Sequence, residues 1–120
     1  MIKYDDLLAV PYKDNGRNTS GMDCYGLVIE CCKRAGVELT DVVYETSKVC
    51  TDKLSGYSLG INVRQIYSVK PECVIQCEYA SMLHIAFALN KKTCIHATYE
   101  GVRVSPICAL KNVKYFEVIR

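Results

Sequence analysis

Cys24, His84 and His96 are the residues through which this chain can do nucleophilic chemistry. A thiol becomes a good nucleophile when an imidazole within hydrogen-bond reach takes its proton. A second polar group is then needed to hold that imidazole in the right tautomer. The chain has eight cysteines but only two histidines, so the choice of thiol rests on its position. Cys24 stands in the stretch SGMDCYGLVIECCKRAG, from Ser20 to Gly36. Leu27, Val28, Cys31, Cys32 and Ala35 follow it at steps of three or four, the spacing of a helix with one apolar face. Ser20 or Asp23 can cap the start of that helix, and Gly36 can end it after Lys33 and Arg34. Cys24 is thereby predicted in the first turn, where unpaired N–H groups and the helix dipole favour thiolate over thiol.

The elements that must bring the histidines to it are strands. From Pro71 the apolar period becomes two. CVIQC (Cys73–Cys77), LHIAFAL (Leu83–Leu89), TCIHA (Thr93–Ala97), Val102–Ser105 and VKYFEVI (Val113–Ile119) read as short strands. Asn90-Lys91-Lys92 has the length of a hairpin loop, which makes the His84 and His96 strands neighbours. A strand histidine taken singly reads as an ordinary, partly buried residue. Two on adjacent strands, with a helix-start cysteine, supply nucleophile, base and orienting group. Upstream, Ile2–Val10 reads as a short helix ended by Pro11, and Tyr12–Gly21 as a loop. Tyr44–Leu54 carries a weak helical pattern, and Ile61–Val69 alternates in part and reads as extended. The order of elements predicts one α+β domain over residues 1–120: N-terminal helices, with the cysteine-bearing helix packed on an antiparallel sheet of about five strands.

Composition narrows the classes. Half of the residues are hydrophobic and 23% are charged, and the net charge is +2; this describes a globular chain without the basic footprint of a nucleic-acid binder. No apolar run reaches the length of a membrane span. Asp5 and Asp6 occupy the place where a signal peptide would be apolar, so synthesis in the cytoplasm without that signal is expected. Without a secretory signal a disulfide framework is not expected. The pairs Cys31–Cys32, Cys73–Cys77 and Cys94–His96 lack the bite of a zinc site. Neither a metal nor another cofactor is expected, and most of the cysteines read as small buried hydrophobes.

Val10 to Leu39 resembles the active-site segment of the NlpC family of papain-like cysteine peptidases, which cut bacterial cell-wall peptides. Pro11-Tyr12, Gly16, Gly21, Asp23-Cys24, Gly26-Leu27-Val28 and Ala35-Gly36 carry the resemblance. Leu83-His84-Ile85-Ala86 resembles the family's His-Val-Gly strand, and Ile95-His96-Ala97 followed by Gly101-Val102 its second histidine strand. The resemblance implies a papain-like fold, with Cys24 as nucleophile, His84 as general base, His96 orienting His84, and Tyr12 with the Cys24 N–H stabilising the oxyanion. It makes Asp23 and Tyr25 substrate-binding positions. Tyr25 replaces the family's usual Ser, as an aromatic residue does in phage-tail-like members. The implied substrate is a peptidoglycan stem peptide cut at the γ-D-glutamyl–diamino acid bond, with phage-tail proteins as partners and action at the cell wall. An amidase of the same fold, or a non-catalytic tail-assembly module, are the rival readings.

Overall fold

The structure is a computed structural model and describes residues 2–41, 62–79 and 81–119. The weak helical pattern at Tyr44–Leu54 lies outside the described residues. The chain begins with a 3-10 helix at Asp5–Ala9. Strands β1 (Arg17–Asn18) and β2 (Gly21–Met22) form a small hairpin, and the α-helix α1 follows at Cys24–Arg34. Then come β3 (Val63–Ile66), β4 (Val74–Tyr79), β5 (Met82–Ala88), β6 (Thr93–Thr98), β7 (Gly101–Pro106) and β8 (Lys111–Val118).

The last six strands form one sheet in the order β3-β8-β4-β5-β6-β7, with every pair antiparallel. Two expectations are corrected here. The sheet has six strands, not about five, because part of the half-alternating stretch before Pro71 pairs with β8 at the edge. Among the described residues there is also one α-helix where N-terminal helices were expected. The segment before Pro11 is only five helical residues long, so it closes 3-10 turns, such as Val10 N–H to Leu7 carbonyl, and builds no α ladder.

Each face of the sheet carries a packed apolar layer. Leu27, Val28 and Cys31 of α1, with Leu7 and Val10, pack on Val74, Ile85, Phe87, Ile95 and Phe116. The alternate residues of the same strands, Ile75, Cys77, Ala86, Ala88 and Cys94, pack with Ile107 and Leu110 in a second layer. Six of the seven described cysteines are buried and unbridged, and Cys108 is exposed. They serve as small apolar residues, as expected.

The two ends of α1 follow the sequence closely. Asp23 is the N-cap, its carboxylate accepting the Gly26 N–H at 2.8 Å. At the C-terminus Gly36 has φ 87°. The Gly36 N–H donates to the Lys33 carbonyl and the Val37 N–H to that of Cys32, the paired bonds of a Schellman cap. Arg34 then clamps the C-terminal turn to the 3-10 helix through both carboxylate oxygens of Asp6, at 2.7 and 2.8 Å.

Candidate active site

The loop before α1 is built to bring backbone against backbone. A β-carbon at position 26 would sit on the Gly16 carbonyl oxygen, and one at position 16 on the Gly21 carbonyl. Only glycine fits at either place, so the loop can lie flat against the first turn of the helix. Asp23 fastens it there. Its side chain is completely buried and accepts from the Asn15 N–H at 2.9 Å and from Arg17 Nη1 at 2.9 Å, besides capping the helix. Arg17 extends the clamp to Asp41 at 3.0 Å and lies over the Tyr25 ring at 5.8 Å. This ion-pair hub was not visible in the sequence, where Arg17 is one of fifteen scattered cations.

Cys24 opens α1 and is nearly buried. Tyr12 is brought beside the helix start by its backbone, which bridges to Met22, two residues before Cys24. Its hydroxyl donates to Asp14 at 3.0 Å, and its ring packs edge-on against Tyr99 at 4.6 Å. Tyr25 follows Cys24 but turns inward; it is fully buried, and its hydroxyl donates to the Thr40 carbonyl at 2.6 Å. Asp23 and Tyr25, the two positions assigned to substrate, thus both stand in the interior with their polar atoms bonded.

The two imidazoles are in direct contact. His84 Nε2 and His96 Nδ1 lie 2.9 Å apart in the interior. The register explains why. β5 pairs with β6 through Phe87 opposite Ile95 and Ala88 opposite Cys94. His84 and His96 lie just beyond those pairs on the two strands, at a separation that long side chains span. The far nitrogen, His96 Nε2, lies 2.9 Å from Ser105 Oγ on β7. This pair is diagonal, since His96 is opposite Arg103 and Ser105 is opposite Cys94. Tyr79 covers both rings, its centroid 5.2 Å from that of His84 and 4.9 Å from that of His96. Neither Ser105 nor Tyr79 stood out in the sequence, because a diagonal partner depends on a register that alternation alone does not give.

The electrostatics separate the groups. His96 is held down to about 4, first by burial, then by the charges of His84 and Arg103, so it is neutral at neutral pH. Burial pushes the Cys32 and Cys77 thiols up to about 12 and Cys94 to about 11. The charges of Cys94 and then Cys24 add to the rise at Cys77. Cys77 is the cross-strand partner of His84. Cys24 packs in the helix-side layer and Cys77 in the other.

An imidazole that donates from Nε2 to a second imidazole has a lone pair on Nδ1 with which to accept a proton. With a thiol at a helix start, that arrangement suits acyl transfer through a thioester. Among the described residues, no helix is long and apolar enough to cross a membrane, and no group of three or more His, Cys, Asp or Glu side chains is placed to hold a metal ion. A search of curated proteins found no match. Residues 9–118 match the family model described as the NlpC/P60 family, a span that takes in the glycine loop, α1 and all six strands of the sheet. The chain therefore belongs to the NlpC/P60 family, whose members are usually cysteine peptidases of the cell wall.

Proposed function

We propose that the protein is a thiol peptidase that cuts peptidoglycan stem peptides at the γ-D-glutamyl–diamino acid bond. The observation that carries this reading is the 2.9 Å bond between His84 Nε2 and His96 Nδ1, because it engages Nε2 of His84 and, with His84 as its donor, frees Nδ1 to act as the base. In the proposed reaction His84 takes the Cys24 proton and the sulfur attacks the amide carbonyl. The C–N bond breaks as His84 returns the proton to the leaving amine. Water, deprotonated by His84, then hydrolyses the thioester and frees the thiol. The oxyanion is met by the Cys24 N–H and the Tyr12 hydroxyl, which turns from Asp14 to do so. Asp23 and Tyr25 bear on the substrate by fixing the loop and helix start that border it. An aromatic residue at 25 supports a phage- or prophage-tail setting, in which tail proteins deliver the enzyme to the wall.

Digestion of purified cell wall tests the proposal. The wild-type protein is expected to release fragments with a new free amine on the diamino acid, identified by mass spectrometry. Cys24→Ala and His84→Ala are each expected to lose at least about 1,000-fold in rate while keeping the native circular dichroism. Wall cleavage by Cys24→Ala at the wild-type rate refutes it, and a different new terminus moves the assignment to another amide bond.

A further inference from the structure

Ser105 is the third polar member of the buried row that begins at His84. The hydrogen bond between the two rings holds one proton, which can belong to either ring, and the two choices have opposite chemical consequences. If His84 donates from Nε2, its Nδ1 carries a lone pair and can act as a base. If His96 donates from Nδ1, neutral His84 keeps its hydrogen on Nδ1 and has nothing to offer a thiol. The far end of His96 decides between them. With Ser105 Oγ accepting, His96 carries its hydrogen on Nε2 and presents a bare Nδ1 to His84. The hydroxyl sits 2.9 Å from that nitrogen, and a hydroxyl can accept there while its own hydrogen is turned elsewhere.

We propose that Ser105 is a positioning residue: by accepting from His96 Nε2 it sets the direction of the whole row and keeps His84 Nδ1 open. This rests on the peptidase reading for its consequence, though not for its geometry. Two structural features support it. His96 has no exposed surface, so an Nε2 hydrogen without an acceptor would be an unsatisfied buried donor, and the ring would escape that penalty by moving the hydrogen to Nδ1. Tyr79 also packs against both imidazoles, which hinders water from replacing the serine from the Tyr79 side. Tyr79, Arg103, Cys77 and Ser105 neighbour the pair on the strands. Of these, Arg103 pushes His96 toward neutrality without selecting a tautomer.

The test is the tautomer itself, read from the imidazole nitrogen-15 shifts of the resting protein at pH 7. The wild type is expected to hold His96 as the Nε2–H form. Ser105→Ala is expected to convert most of it to Nδ1–H, and to slow alkylation of Cys24 by iodoacetamide about 10-fold at that pH. Ser105→Thr, which restores the hydroxyl, is expected to return both readings to within about 2-fold of wild type. A wild-type His96 already in the Nδ1–H form, or an unchanged Nε2–H form in Ser105→Ala, overturns the proposal. Because neither reading uses cell wall, a protein that shows the tautomer switch but cuts no wall supports the role of Ser105 and refutes the peptidase assignment alone.

Discussion

A histidine held between another imidazole and a serine hydroxyl cannot take up a proton as it would in water. His96 is lowered to about 4 from its usual 6.5, so the unfolded chain binds a proton there at a pH where the folded protein does not. Stability from this residue is complete above about 6.5 and is lost as the pH falls through about 4. The difference corresponds to about 3 kcal/mol across that interval. His96→Asn removes the titrating group and is expected to flatten the acid limb by that amount in urea midpoints measured from pH 7 to 4. Asp6 and Glu117 are also held low, by Arg34 and by Lys70 with Arg64 respectively, but both proteins carry them and their effect cancels. An acid limb of equal steepness in His96→Asn would contradict the assignment.

At the level of elements, the apparatus depends on how closely the loop lies on α1. Gly26→Ala places a methyl group on the Gly16 carbonyl. The backbone has to move, and the expected loss is about 2–3 kcal/mol by chemical denaturation. Wall cleavage should fall with it, since the same loop carries Tyr12 toward Met22. A variant as stable as wild type would show that the loop yields freely. These elements also mark how far sequence reasoning reaches. The helix, its cap at Asp23 and its end at Gly36 were legible because caps and periodicity act over a few residues. The five later strands were legible for the same reason, and so were the two histidines once their strands were neighbours. The edge strand β3 was half-legible, since its four residues pair only with β8. Ser105, Tyr79 and Arg17 were not, because each owes its role to a register or a fold-back that no local pattern encodes.

Across the whole molecule, burial sets exposed Cys108 apart among the described thiols, and the place at the start of α1 sets Cys24 apart from the other five. Cys31, Cys32, Cys73, Cys77 and Cys94 are enclosed and raised by burial, so they can react only when the protein opens. In native buffer, iodoacetamide followed by peptide mapping is expected to modify Cys24 first and exposed Cys108 more slowly. The five enclosed thiols should react only at the rate of global unfolding, rising with urea. Fast native labelling of any of the five would contradict the packing described above.

His84, His96 and Ser105 all come from three strands in succession, joined by tight turns, and so they assemble from contacts near one another along the polymer. Cys24 stands sixty positions upstream of His84 and reaches the sheet through α1, so bringing it there closes a far longer loop than the strand turns do. On the proposed reading, the thiol meets its proton acceptor only where α1 is docked on the sheet, so the reactivity of that one sulfur would report whether the molecule is fully assembled.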